Sequence, residues 1–150
     1  MNIAVGCDHA GWALKNVLAV HLRKKGHAVT EVFGERYDAQ DDYPDAAAAV
    51  ARAIAGGRAE RGLILCGSGV GASVAANKIR GVRAGLCHDT YSAHQGVEHD
   101  DVNVLCLGAR VIGEAPALEI VDAFLAARFT GEERHARRLK KLLALEADGR

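Results

Sequence analysis

The sequence carries no surplus of charge: 19 Lys and Arg face 19 Asp and Glu, and the formal net charge is zero. A general nucleic-acid binder shows a basic excess, so no nucleic-acid partner is expected. No apolar run approaches the ~20 residues that span a bilayer, so no membrane partner is expected either. The first residues lack a charged segment ahead of an apolar stretch and reach Asp8 and His9 too soon for a secretory signal. The expected location is the cytoplasm. Cysteine is sparse and scattered: Cys7, Cys66, Cys87 and Cys106 form no CxxC pair. That excludes a zinc ribbon or a disulfide framework as the organising device. Each cysteine ends or interrupts an apolar run, where the plain reading is a small buried hydrophobe. Internal repeats, low-complexity tracts and linkers are also missing.

What is present is ordinary for a globular chain, with 49% apolar and 25% charged residues. At 150 residues, it can bury roughly 70% of its unfolded surface. One domain over residues 1–150 is therefore expected. Short apolar runs rich in β-branched residues occur at 3–5, 28–33, 63–65, 82–87 and 102–107. Runs of this kind suit strands buried on both faces of a parallel sheet. Segments with helical spacing separate them. In the first, Leu14, Val17, Leu18 and Leu22 share a face, Lys15, Arg23 and Lys24 fall elsewhere, and Gly26 supplies the C-cap. The second opens at Tyr43-Pro44-Asp45 and runs to Gly56-Gly57. Further helices are predicted over 71–78, 91–97, 115–129 and 132–147. Strand alternating with helix five times gives an α/β class: a three-layer, Rossmann-like domain with a five-stranded parallel sheet and extra C-terminal helices. The last two helices, with no strand after them, look like an appendage able to reach a partner subunit.

In such a sheet the binding crevice lies at the carboxyl ends of the strands. There the sequence places Cys7-Asp8-His9, then Cys66-Gly67-Ser68-Gly69-Val70-Gly71, then His88-Asp89 and Gly108-Ala109-Arg110. The glycine loop is the strongest local signal. Three glycines between a strand and a helix let several N–H groups point into one small volume, which makes an anion hole. A thiol beside such groups is a candidate base or nucleophile, because they favour its thiolate. Ser68 stands ready to shuttle a proton between neighbouring oxygens. The same loop also fits G-x-G-x-x-A, a dinucleotide fingerprint, with Asp89 22 positions after Gly67 as the ribose-binding acid. Against this, the loop follows the third strand rather than the first, and a cysteine precedes the first glycine.

His88, Asp89, His94, His99 and Asp100 lack HxxxH or HExxH spacing, so no metal site is expected. Arg134 and Arg138, four apart on one helix face, could clamp a phosphate; the bland alternative is a solvated helix end. An anion hole and a second basic site together point to a small phosphorylated substrate.

Beyond these motifs the chain resembles the type B ribose-5-phosphate isomerase family, which includes galactose-6-phosphate and allose-6-phosphate isomerases. The resemblance rests on Gly6-Cys7-Asp8-His9-Ala10-Gly11 with Leu14-Lys15, on Asp42-Tyr43-Pro44, and on the glycine loop running into Ala75-Ala76-Asn77-Lys78. It continues through Tyr91-Ser92-Ala93, His99 with Asn103-Val104-Leu105, Gly108-Ala109-Arg110 and Arg134-His135. It implies an aldose–ketose isomerase without metal or cofactor, a homodimer or homotetramer whose active sites are shared between subunits. On this resemblance Cys66 is the base that moves a proton between C1 and C2 through an enediolate. The amides of Gly67, Ser68, Gly69, Val70 and Gly71 hold the oxyanion, Ser68 assists, and His99 opens the sugar ring. Asp8, His9 and Tyr43 contact sugar or phosphate, and Arg110, Arg134 and Arg138 bind phosphate. One branch of the family has Glu after the last loop glycine; here Ala72 stands there, as in the cysteine-base branch. Two positions depart from the family's pattern: Asp100 replaces the usual Asn, and Val97 replaces a basic residue. Asp100 is counted in the substrate-binding set, where its carboxylate is expected to weaken anion binding or to raise the pKa of His99 through charge attraction. A nicotinamide-dependent oxidoreductase and a non-catalytic sugar-phosphate sensor are the alternatives in other classes.

Overall fold

The computed structural model describes residues 1–148. Its five strands are β1 (Asn2–Cys7), β2 (Ala28–Phe33), β3 (Arg61–Cys66), β4 (Ala84–Leu86) and β5 (Val104–Gly108). All neighbours pair in parallel, in the order β2-β1-β3-β5-β4. The helices are α1 (Trp12–Lys24), α2 (Tyr43–Ala55), α3 (Val70–Ala76), α4 (Thr90–Asp100), α5 (Glu114–Ala126) and α6 (Glu133–Asp148). Among the described residues no helix is long and apolar enough to cross a membrane.

Alternation along the strands builds the three layers. Ile3, Val5, Leu63, Leu65, Leu105 and Leu107 face one side, where they meet Leu14, Leu18 and Leu22 of α1, Val97 of α4, and Ile120 and Phe124 of α5. Ala4, Ile64, Cys66, Val104 and Cys106 face the other, against Ala47, Val50 and Ala51 of α2 and Ala72 and Ala76 of α3. Each fully buried Leu or Ile contributes about 1.5–3 kcal/mol. Because α1 and α2 lie on opposite faces, the chain reverses its winding between β1 and β3. That switch point opens a crevice at the carboxyl ends of these two strands.

The structure corrects the sequence reading at three points. Lys15, set apart from the apolar face by its spacing, is fully buried, and its ammonium contacts the Glu31 carboxylate and the Gly34 carbonyl, the latter at 3.0 Å. The fourth strand keeps only three of its six predicted residues. Arg83 turns away to bind Asp101, and Asn77 takes both backbone groups of Ala84, its Nδ2–H donating to the carbonyl at 2.9 Å and its Oδ1 accepting the amide at 2.8 Å. Finally, α5 is no appendage. Its Ile120, Val121 and Phe124 are core residues, and it stops at Ala126 where the Arg128 guanidinium donates to the Leu125 and Ala127 carbonyls. Only α6 stands off the sheet, with Leu142, Leu143 and Leu145 exposed.

Candidate active site

The crevice is built on the turn between Cys66, the last residue of β3, and Val70, the first of α3. Gly69 makes that turn at φ +80°, in the left-handed region that glycine enters without steric cost. A Cβ there would also strike Leu86 and come within 3.1 Å of the Leu107 carbonyl carbon. Gly71 lies against the Tyr43 ring, which a Cβ would approach to 2.7 Å. The turn folds the Gly69 N–H onto the Cys66 sulfur at 3.0 Å and the Val70 N–H onto Ser68 Oγ at 3.3 Å. Among the described residues no protein acceptor takes the first-turn amides of Gly71 and Ala72. The result is a nearly buried thiol, 5% exposed, next to N–H groups that stabilise negative charge developing beside it.

Asp8, His9 and Arg110 close the crevice around this turn. Asp8, at the end of β1, accepts the Ala10 and Gly11 amides on Oδ1 at 3.0 and 3.1 Å. His9 donates its backbone N–H and its Nδ1–H to Asp41 Oδ1, both at 2.8 Å. The hydrogen bond to the Asp41 carboxylate holds the imidazole above its usual range, with Asp8 adding to the effect. Arg110 follows β5. Its amide donates to the Gly67 carbonyl at 3.0 Å, and its guanidinium lies over Gly67, whose other flank is Ala10. Cys66, Ser68, the loop glycines, Val70, Tyr43, Asp8, His9 and Arg110 are thus brought together at the carboxyl edge.

His99, Asp100, Arg134 and Arg138 are not brought there. Asp89 caps the start of α4, accepting the Ser92 N–H at 2.7 Å, and the helix then runs back along the sheet. It ends at Asp101, φ +53°, whose carbonyl and carboxylate are gripped by Arg83 at 2.7 and 2.6 Å. Arg83 precedes β4, and Val102 meets Arg61 at the start of β3. His99 therefore sits at the amino edge, separated from Cys66 by the length of a strand, roughly 20 Å at ~3.3 Å per residue. There its Nδ1 accepts from the Gln95 amide at 2.7 Å, and its ring stacks on His135 with centroids 3.9 Å apart. His135 is buried, with Nδ1 against Thr130 Oγ1 at 2.8 Å. Desolvation, then the charge of His99, pushes its pKa down. Arg134 and Arg138 are exposed on α6, and Arg134 Nε donates to Glu132 at 3.0 Å. Asp100 is exposed, whereas Val97 is fully buried in the core, so its apolar character is a packing requirement.

The dinucleotide alternative loses its acid. Asp89 is engaged as a helix cap, and its strand β4 is separated from β3 by β5, whereas the fingerprint needs adjacent strands. Among the described residues no group of three or more His, Cys, Asp or Glu gathers as a metal-binding set. Sequence reasoning missed Asp41, although it adjoins the Asp42-Tyr43-Pro44 motif. Its contact with His9 spans 32 residues, and nothing local announces it. His88 was placed at this edge, but not its partner: its Nε2 accepts the Gly108 N–H at 2.9 Å. Also missed was the Gln95–His99 pair, which the i, i+4 spacing could have shown.

Residues 3–142 match the ribose/galactose isomerase family. The chain is 44% identical to ribose-5-phosphate isomerase B of Escherichia coli, over 96% of this chain and 95% of that one. It is also 44% identical to D-erythrulose-4-phosphate isomerase of Pectobacterium atrosepticum, over 87% and 86% respectively. Its fold superposes on the crystal structure of ribose-5-phosphate isomerase B from Mycoplasma genitalium with bound ribulose-5-phosphate. The TM-score is 0.91 at 39% identity, covering 97% of this chain and 96% of that one. The chain belongs to the ribose/galactose isomerase family, a family of sugar-phosphate isomerases.

Proposed function

We propose that this protein interconverts ribose 5-phosphate and ribulose 5-phosphate without a metal or cofactor. The observation that carries the proposal is the Cys66 thiol at the switch-point crevice, set against loop amides in a chain related to an isomerase B that binds ribulose-5-phosphate. Once the ring is open, the Cys66 thiolate removes the C2 proton of the aldose. The electron pair moves into the C1–C2 bond, and the carbonyl oxygen becomes an enediolate oxyanion held by the loop amides. Ser68 relays the hydroxyl proton between O2 and O1, and the Cys66 thiol returns its proton to C1 to give the ketose. Ala72 stands after the last loop glycine, so the alternative Glu base is absent and Cys66 is the base of the loop.

His99, Arg134 and Arg138 serve ring opening and phosphate binding from the opposite edge of the sheet. They therefore act in the site of a second copy, and the enzyme works as a homodimer or homotetramer with shared sites. Asp8, His9, Tyr43 and Arg110 bind the sugar phosphate from within the chain. The decisive assay is ribulose 5-phosphate formation from ribose 5-phosphate in EDTA. Activity should survive chelation and fall by about 10²–10⁴-fold in Cys66→Ala, the loss expected for a missing general base. An active Cys66→Ala enzyme would assign the base elsewhere. The equal identity to a D-erythrulose-4-phosphate isomerase favours a second reading, a tetrose phosphate substrate. A higher kcat/KM on erythrulose 4-phosphate than on ribulose 5-phosphate would select it.

A further inference from the structure

We propose that Asp41 is a positioning residue of the carboxyl-edge site, holding the His9 ring as an imidazolium with Nε2–H turned to the phosphate of the substrate. The proposal rests on the reading of His9 as a substrate-binding residue. A single oxygen, Asp41 Oδ1, accepts both the backbone N–H and the ring Nδ1–H of His9 at 2.8 Å. Two donors of one residue on one acceptor fix the ring's rotamer. They also fix its tautomer, because Nδ1 is committed as a donor. Nε2 is then the free end of the ring. The Asp41 side chain is 8% exposed and that of His9 35%, so the carboxylate is shielded while the ring keeps an open face.

Asp41 is itself held. The segment between β2 and α2 starts at Gly34, whose carbonyl accepts from the fully buried Lys15 at 3.0 Å, and Lys15 is neutralised by Glu31. The segment is tied internally by the Gln40 N–H on Asp38 Oδ1 at 2.9 Å, and it ends at Asp42, the N-cap of α2. Thus a buried lysine off the apolar face of α1 anchors the loop that delivers Asp41. Two anions act on the ring, Asp41 from this loop and Asp8 from the end of β1. Arg110, beside Gly67, is the positive charge of the crevice, the β2–α2 segment itself adds Glu35, Arg36, Asp38 and Asp42, and the β3–α3 turn brings no Asp, Glu, Lys or Arg. A neutral imidazole would offer Nε2 as a bare acceptor and repel a phosphate oxygen. The imidazolium offers a charge-assisted N–H instead.

The test uses Asp41→Asn, whose amide oxygen can still accept from Nδ1–H but carries no charge. Ring nitrogens of His9 are titrated by ¹⁵N NMR in the substrate-free protein, and KM for ribose 5-phosphate is measured from pH 6 to 9 (a range chosen around the ordinary imidazole value of about 6.5). In the wild type, KM is expected to be flat on the acid side and to rise as His9 loses its proton. In Asp41→Asn the ring titration and the rise in KM should move together to lower pH, with KM about 3–10-fold higher near neutrality and kcat little changed. His9→Gln, which keeps a donor without a titrating charge, should abolish the rise. An unmoved ring titration in Asp41→Asn, or a KM profile that persists in His9→Gln, overturns the proposal. The ring titration needs no substrate, so an enzyme inactive on ribose 5-phosphate sinks the substrate reading while Asp41 is still judged on the ring shift. If Asp41→Asn does not fold, Asp41→Glu, which keeps the charge, must retain the wild-type KM profile or the proposal falls.

Discussion

The two edges of the sheet are built differently. At the carboxyl edge, Cys66, Asp8 and His9 are oriented by short backbone turns and by partners at 2.8–3.1 Å, and Asp8 and Cys66 are almost out of solvent. At the amino edge, Arg134 and Arg138 project from an outlying helix, and His99 is steadied by a stacked ring and one amide. One edge is pre-organised by its own chain, as the control of a proton transfer requires. The other is presented outward, which is the observation behind the proposal that its groups act in a second copy. The lesson is that a cluster of candidate residues in sequence need not be a cluster in one folded chain.

The largest expected effect breaks this comparison outright. Cys66→Ala and His99→Ala should each be inactive alone. Co-expressed, they should form mixed dimers with one intact site, returning roughly a quarter of wild-type activity for random pairing. No recovery would place His99 outside the shared site.

A second prediction probes how firmly the amino edge is held. Arg83→Ala frees the left-handed Asp101 at the end of α4 and should cost about 1 kcal/mol in a urea titration. It should lower turnover on closed-ring sugar more than exchange of the C2 proton on an open-chain analogue. Equal losses on both would mean that the α4 terminus does not serve ring opening.

The third concerns pH. His135 is held below the ordinary imidazole value, so the unfolded chain takes up its proton first on acidification. Stability should be full above about pH 6.5 and fall through that value until the folded group is also protonated. His135→Gln should flatten this slope in urea midpoints measured from pH 8 to 5 (a range bracketing that value). The smallest effect is expected from Asp100→Asn, which removes an exposed carboxylate beside His99 in sequence. KM for ribose 5-phosphate should fall about two- to fivefold, and an unchanged KM would separate Asp100 from the substrate.

Much of the fold was legible because buried parallel strands and alanine-rich helices write their period directly into the chain. All five strands and six helices fall where runs such as 63–65 and 102–107 place them. The errors share one cause, tertiary partners overriding local pattern. Lys15 reads as lying off the apolar face until Glu31 and Gly34 are seen around it, and 82–87 reads as a full strand until Arg83 is claimed by Asp101. In the site, the glycine turn was visible because its geometry is local. Asp41, the His88–Gly108 contact and the split between edges were hidden because each depends on residues brought together from different strands and loops.

The side chain of Asn77 imitates a peptide unit. Its amide donates to and accepts from Ala84 just as the backbone of a further strand would, on the side of β4 that faces away from β5. An open sheet margin invites other chains to extend it, and exposed margins are where soluble proteins begin to aggregate. Here that margin is only three residues long and one of them is already satisfied. Losing a single amide, as in Asn77→Ala, would free the Ala84 backbone groups to pair with a sixth strand.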